Sequence, residues 1–110
     1  RGGIFPVVHG LRCLALKHGI TQRSSFARCD ALVDCGGLDA PLARDLAQAL
    51  AVLQRLRLDA QLATLDAGGV PDNLLHPDTL RRLDRELLRD ALRVVKAFRQ
   101  HVRIAFHLSD

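Results

Sequence analysis

Apolar residues recur every three or four positions through two long stretches of this chain, which is the period of one face of an α-helix. In the stretch 41–67 the repeat consists of Leu42, Leu46, Ala49, Leu50, Leu53, Leu56 and Ala60. In the stretch 79–107 it consists of Leu80, Leu83, Leu87, Ala91, Val94, Val95, Phe98, Val102 and Ala105. A β-strand would repeat every two residues, so the pattern predicts two long helices with one buried side.

The stretch 41–67 carries a second, weaker apolar strip on nearly the opposite side. The strip consists of Ala47, Ala51, Leu58, Leu62 and Leu65. A helix that is apolar on two sides is predicted to be contacted on both, either within a bundle or by another domain.

Glycine, proline and capping residues divide the chain into helices. The predicted helices span residues 6–18, 25–35, 41–67 and 79–107. Pro6 suits a first helical turn, because the N–H that proline lacks is not needed there. The candidate N-caps are Ser24 or Ser25, Asp39 and Asp78, and the candidate C-terminal stops are Gly19, Gly36-Gly37 and Gly68-Gly69. Residues 68–78 are predicted to form the one substantial loop.

Composition agrees with an all-α fold. Leu and Ala dominate, whereas there are only four Phe and no Trp or Tyr in 110 residues. Four amphipathic helices with short links predict an antiparallel four-helix bundle in which two short helices are followed by two long ones. We expect residues 1–110 to form a single helical domain. Because the chain begins Arg-Gly-Gly without Met, we expect it to be a fragment of a larger multidomain protein.

The cysteines indicate a reducing compartment. Cys13, Cys29 and Cys35 are odd in number and show no disulfide framework, which is typical of a cytoplasmic protein. A metal site of Cys29 and Cys35 with His9 or His18 is the alternative. Structural zinc sites favour ligands two to four positions apart, so we expect no metal. No run of about 18 apolar residues exists, so we expect no membrane-spanning helix.

The net charge of +4 is concentrated near the end of the chain, where residues 78–106 hold eight Lys or Arg and four Asp or Glu. On the fourth predicted helix a basic stripe consists of Arg82, Arg85, Arg89, Arg93, Lys96 and Arg103. One interpretation is a site for a nucleotide, a nucleic acid or an acidic protein. The other is a solvated helix face, partly offset by Glu86 and Asp90. No aromatic lies near the stripe, which argues against single-stranded nucleic acid.

Two charges lie in predicted apolar arcs. Arg12 shares an arc of the first helix with apolar residues, and Asp84 does so on the fourth. An unpaired buried charge is costly, so we expect a buried ion pair between Asp84 and Arg12, with Arg57 as the alternative cation. The other interpretation is that one of these cations lies at a cleft and receives a phosphate.

Catalytic patterns are missing. The chain contains no Gly-rich phosphate loop, no Ser-His-Asp or Cys-His arrangement in a credible order, and no Gly-Ser followed by an acidic pair. We therefore expect no catalytic residues and no enzymatic activity from this chain by itself.

Four ordered motifs carry a family resemblance, namely "GGIFPVVHGLRCLALKHGIT", "LRLDAQL", "PDN" and "LDRELLRDALRVVKAFRQ". They resemble the helical nucleotidyltransferase substrate-binding domain family of bacterial signal-transduction proteins. In that family the domain follows a nucleotidyltransferase-like domain, and cyclic-nucleotide-binding and CBS modules often precede the pair. The chain departs from relatives at Asp59-Ala60, where a basic or His-containing stretch is common.

The resemblance implies a non-catalytic accessory domain that packs beside the preceding catalytic domain and helps to bind nucleotide or acceptor. It implies Mg²⁺ and nucleotide for the parent's catalytic domain, and no cofactor here. The candidate substrate-binding residues are His9, Arg12, Arg57, Asn73 and Arg85. For His9 and Asn73 the alternative is a local structural role at a helix boundary or turn. For the whole chain the alternative is a structural or dimerisation module that has no ligand of its own.

Overall fold

The computed structural model describes residues 3–72 and 75–107. Its helices are α1 (Ile4–Lys17), α2 (Ser25–Asp34), α3 (Ala40–Asp66) and α4 (Arg82–Ala105), with a 3₁₀ turn at Pro77–Thr79. The described ranges contain no strand. The prediction of an all-α bundle with two short helices followed by two long ones is confirmed.

Local signals account for most helix ends. The Ser24 side chain accepts a hydrogen bond from the Ala27 N–H, and the Asp39 carboxylate accepts one from the Leu42 N–H. Each satisfies a donor that the first helical turn leaves free. Gly19, Gly36 and Gly68 follow the first three helices at φ of 70°, 79° and 82°. This left-handed conformation is strained for other residues, so these glycines end the helices where predicted.

The start of α4 differs from the prediction, which placed it at Thr79 with Asp78 as the cap. A 3₁₀ turn forms instead, in which the N–H and the hydroxyl of Thr79 both donate to the His76 carbonyl. Leu80 is then extended, and α4 begins at Arg82 without a side-chain cap. The turn satisfies the Thr79 N–H and hydroxyl locally, and the extended conformation of Leu80 prevents the helix from continuing back to Thr79.

The long helices form the spine of the bundle. The pair α3 and α4 makes the most extensive contact, and the contacts show that these helices are antiparallel, because Ala49 lies near Ala91 whereas Leu56 lies near Asp84. The buried side chains are almost all aliphatic, with Phe98 at the centre. The larger ones are Val7, Leu11, Leu14, Cys29, Leu32, Leu38, Leu46, Leu50, Leu53, Leu56, Leu88, Val95 and Phe98, and the alanines among them are Ala15, Ala43, Ala49 and Ala91.

The first helix packs directly onto the spine through two glycines. A Cβ atom at Gly3 would lie 3.0 Å from Val95 Cγ2, and one at Gly10 would lie 2.6 Å from Phe98 Cε2. At the other end of α1, the Lys17 ammonium donates to the Ala105 carbonyl. These contacts advance together along both helices, so α1 runs parallel to the second half of α4.

The predicted buried ion pair between Arg12 and Asp84 is wrong. Arg12 is exposed, and the Asp84 carboxylate lies 3.5 Å from Arg55 Nη2 in a pair whose side chains are 33% and 55% exposed. Of the apolar residues in the arc of Arg12, Phe5 and Val8 are exposed, whereas Leu11 and Ala15 are buried. The face of α1 that packs is formed by Val7, Gly10, Leu11 and Leu14. Glycine carries no hydrophobic signal, so the sequence pattern pointed to the wrong side of the helix.

The second apolar strip of α3 is exposed where it is most apolar. Leu58, Leu62 and Leu65 are 53%, 49% and 55% exposed. The buried residues of α3 end at Leu56, so the last turns of this helix extend beyond the described core.

The packing at Gly10 predicts that Gly10→Ala is destabilising. Alanine favours the helix by about 1 kcal/mol, but overpacking against a buried ring costs typically about 1–3 kcal/mol, so we expect a net loss of roughly 1 kcal/mol and at most about 2 kcal/mol. Urea unfolding followed by circular dichroism measures the change.

The matched control for that substitution is the double variant Gly10→Ala with Phe98→Leu, compared with Phe98→Leu alone. Because leucine lacks the ring atoms that the new Cβ would meet, Gly10→Ala should be neutral or stabilising in this background. An equal loss in both backgrounds would show that the Gly10–Phe98 contact is not the cause.

The exposed position of Asp84 predicts that Asp84→Ala costs at most about 1 kcal/mol of unfolding free energy, as is usual for an exposed ion pair. Leu53→Ala is the reference, since truncating a buried leucine costs about 2–5 kcal/mol. Urea unfolding of both variants measures the difference. A loss for Asp84→Ala that equals the loss for Leu53→Ala would restore a buried role for this carboxylate.

Candidate functional site

A solvent-open groove lies between the start of α1 and the second half of α4. Its volume is about 860 Å³. The apolar part of its lining consists of Gly3, Pro6, Leu92, Val95 and Ala97, and the polar part consists of Arg93, Lys96, Arg99, Gln100 and Arg103. The groove therefore joins an apolar floor to a row of cations and one amide, and it has no carboxylate in its lining.

The row of cations follows from the helical period. Arg93, Lys96, Arg99 and Arg103 advance by three, three and four residues, which places them along one side of α4 over about 15 Å. All four are exposed, so each charge stays hydrated while it faces the groove. The arrangement can attract an anion and donate hydrogen bonds to it.

The partners of these cations differ. Arg93 Nη1 lies 3.2 Å from an Asp90 carboxylate oxygen, and both side chains are more than two-thirds exposed, so this pair is weak. The side chains of Lys96 and Arg99 form no hydrogen bond or ion pair with a described residue. Their charges therefore remain available to a ligand.

The predicted basic stripe and the groove overlap only in part. Arg93, Lys96 and Arg103 belong to both. The stripe residues Arg82, Arg85 and Arg89 are exposed on the first half of α4 and do not line the groove. Arg99 was missed, because it lies nearer to the apolar side of the helix. Arg99 lines a groove only because α1 packs beside it, and the spacing of Arg99 in the sequence does not indicate that packing.

The predicted substrate-binding residues do not meet in this groove. His9 and Arg12 are exposed on the outer face of α1, Arg57 is half-buried on α3, and Arg85 is exposed on α4. None of these four lines the groove. Asn73 lies outside the described residues. The roles of all five stay predictions.

The outer face of α1 combines apolar and polar groups. The His9 ring stacks on Phe5 with centroids 5.4 Å apart, and His9 Nε2 lies 3.7 Å from Cys13 Sγ. Phe5 is 60% and Leu16 is 74% exposed on the same side as Arg12. An exposed apolar face with one cation is typical of a contact surface.

A second depression, of about 750 Å³, lies between the end of α3 and the start of α4. Its charged lining residues are of both signs, namely Asp59, Asp84 and Arg81. Beside it, His76 Nε2 lies 3.3 Å from an Asp72 carboxylate oxygen, and the Gln61 amide donates to the Asp72 carbonyl. The two carboxylates outnumber the single guanidinium in the lining, so the depression does not favour an anion.

The cysteines lie in different environments. Cys29 is buried, Cys13 is half-buried and Cys35 is exposed. Burial, with a smaller contribution from Asp30, raises the pKa of the Cys29 thiol to about 11. Within the ranges that the structure describes, no three His, Cys, Asp or Glu side chains are grouped so that they could hold a metal ion.

Comparison with known protein families identifies the family of this chain. The sequence profile of the family described as "Putative nucleotidyltransferase substrate binding domain" matches residues 1–106. The chain belongs to this family. The resemblance that the four motifs carry is thereby confirmed. No curated protein and no solved structure matches the chain.

The family is a substrate-binding domain of nucleotidyltransferase-like proteins. That description agrees with a chain that has no catalytic role by itself. In the described residues, no helix combines the length and the apolar character needed to cross a membrane.

The environment of Cys29 predicts a pH-dependent stability. Because the folded-state pKa lies above the ordinary value of 9.0, the native state holds this proton more tightly than the unfolded state. Its contribution is full below pH 9.0 and is lost as the pH rises towards 11. Thermal unfolding across this range should show a decline that is smaller in Cys29→Ala.

Thiol labelling provides the control for that prediction. The thiolate is the reacting species, so at about pH 8 DTNB should react readily with Cys35 in the native chain but with Cys29 only on unfolding. Equal native labelling rates for Cys29 and Cys35 would contradict the buried environment.

Proposed function

We propose that this chain is the accessory, substrate-binding domain of a larger nucleotidyltransferase-like signalling protein. It packs beside a preceding catalytic domain, which uses Mg²⁺ and a nucleotide, and it closes one wall of the cleft over nucleotide or acceptor. The observation that carries the proposal is the open groove with four cations on a domain of this family.

Because the groove is open to solvent, it is better suited to form one wall of a cleft between two domains than a complete binding pocket. Its cations are exposed, so water screens their attraction for a ligand. Binding by this chain alone should be weak. A second domain that covers the ligand would exclude water and strengthen the same interactions.

The outer face of α1 supports contact with that second domain. Phe5 and Leu16 expose apolar area, and His9 and Arg12 lie beside them. Under this proposal the apolar side chains contact the catalytic domain, while His9 and Arg12 reach its bound substrate. Arg57 and Arg85 add positive potential from α3 and α4.

A nucleotide titration tests the proposal. We expect ATP, UTP or another nucleoside triphosphate to cause small NMR shifts in the chain alone and to bind at least tenfold more tightly when the preceding domain is present, because each recovered charged hydrogen bond contributes about 1.5–3 kcal/mol. Arg12→Ala should weaken binding in the longer protein. Its control is Arg23→Ala, which removes an exposed arginine between α1 and α2. Equal and negligible shifts in both proteins would reject the proposal.

The exposed strip of α3 favours a second candidate function, that of a dimerisation module without a ligand. Leu58, Leu62 and Leu65 lie on one side of the helix and are each about half exposed. A second copy of the chain could bury them.

Sedimentation velocity separates the two candidates. The accessory-domain proposal predicts a monomer, whereas the module predicts a dimer that Leu62→Glu dissociates and the control Leu16→Glu, at an exposed leucine of α1, does not. A dimer sensitive to Leu62→Glu, together with no nucleotide response, would replace the first candidate with the second.

A further inference from the structure

We propose that the groove between α1 and the second half of α4 binds a linear oligophosphate, the chemical group that a nucleoside triphosphate carries. The assignment rests on the proposed function only in naming a nucleoside triphosphate as the molecule that carries the oligophosphate. The preference for an anion is inferred from the cations of the groove itself. We assign the site to three members of the basic stripe, Arg93, Lys96 and Arg103, together with Arg99, which the sequence pattern did not indicate.

The distribution of charge around the groove is one-sided. No Asp or Glu occurs in α1, and none occurs in α4 after Asp90. The first half of α4 differs, because Asp84, Glu86 and Asp90 alternate there with the arginines. The two helical segments that line the groove therefore present cations without carboxylates, and this disfavours a cationic ligand and favours an anion.

Favourable interaction with the helix dipole does not account for the whole row. A cation near the C-terminus of a helix is stabilising, but the effect is limited to the last turn. Arg103 lies in that turn of α4. Arg93, Lys96 and Arg99 lie one or more turns earlier, so the dipole gives no reason for their presence on the groove side.

The spacing favours a ligand with several charges in line. Successive cations are separated by about 4.5–6 Å along the helix axis, and the row extends over about 15 Å. A single phosphate would reach one or two of them. A chain of phosphates presents several charges in succession and can contact more of the row, because the long Arg and Lys side chains can converge on it, with the Gln100 amide as a further donor.

The walls of the groove disfavour nucleic acid. No aromatic side chain lines it, so bases of a single strand would find no stacking surface. The opposite wall is the first turn of α1, where Gly3 and Pro6 line the groove. Gly3 provides no side-chain cap for α1, so the positive end of this helix adds to the potential of the four cations.

The test is a titration of the 110-residue chain with inorganic tripolyphosphate, followed by ¹⁵N NMR and calorimetry at about 50 mM and about 200 mM salt. We expect saturable shifts confined to residues 3–6 and 92–103, and affinity that falls as the salt concentration rises. Shifts spread evenly over the basic residues of α4, or no saturable binding at low salt, would overturn the assignment.

A pair of charge-matched variants makes the test specific. Lys96→Gln with Arg99→Gln removes two exposed cations from the groove, and Arg82→Gln with Arg89→Gln removes two from the other half of α4. Because charged hydrogen bonds are lost only in the first, we expect its Kd to rise by roughly tenfold or more and the control's by less than about twofold. Equal weakening in both would reduce the site to non-specific attraction. Circular dichroism melts verify that both variants fold.

Other anions test the ligand class. Orthophosphate should bind more weakly than tripolyphosphate, and ATP should bind through the same residues as tripolyphosphate. Orthophosphate that binds as tightly, or an oligothymidylate that binds more tightly than tripolyphosphate, would overturn the oligophosphate assignment.

The outcome also separates this inference from the proposed function. Tripolyphosphate binding requires no catalytic domain. If the groove binds tripolyphosphate but the longer protein shows no nucleotide response, the proposed function fails and the groove assignment stands. If the longer protein binds nucleotide with equal affinity in both charge-matched variants, the groove assignment fails alone.

Discussion

The contact between the backbone of α1 and the Phe98 ring is the constraint on which the other features depend. Gly10 lies where any side chain would collide with this ring, and Gly3 lies equally close to Leu53 and Val95. Because both positions lack a side chain, α1 can lie directly against α4. That approach buries the inner face of α1, turns Arg12 outward, and leaves beside Gly3 the groove that the cations of α4 line.

The bundle separates apolar packing from charge. Among the described residues, no polar or charged side chain is buried, so the core depends on aliphatic contacts around Phe98 and requires no internal ion pair. Buried ion pairs contribute little net stability, because desolvation offsets much of the attraction. With its charges at the surface, the chain can carry unpaired cations such as Lys96 and Arg99 without destabilising the fold.

Signals that act within a few residues made the fold predictable. Ser24 and Asp39 cap helices through hydrogen bonds three residues away, and Gly19 has the left-handed conformation that ends α1. The site was less predictable, because it depends on which faces meet. Arg99 enters the groove only because α1 packs where it does, and Gly10, which determines that packing, has no side chain for a hydrophobic pattern to register. Arg12 was misplaced for the same reason.

The surfaces left open by the bundle are of three kinds, and each has a different physical use. The groove has charge but no cover, the outer face of α1 has exposed Phe5 and Leu16, and the end of α3 has exposed Leu62. A ligand in an uncovered groove keeps much of its hydration, which limits the affinity that its charges can provide. Covering the groove would remove that water, and an apolar surface nearby would supply the free energy to hold the covering domain in place. In this arrangement, affinity for an anion and association with a neighbouring domain reinforce each other, since each stabilises the state in which the other occurs.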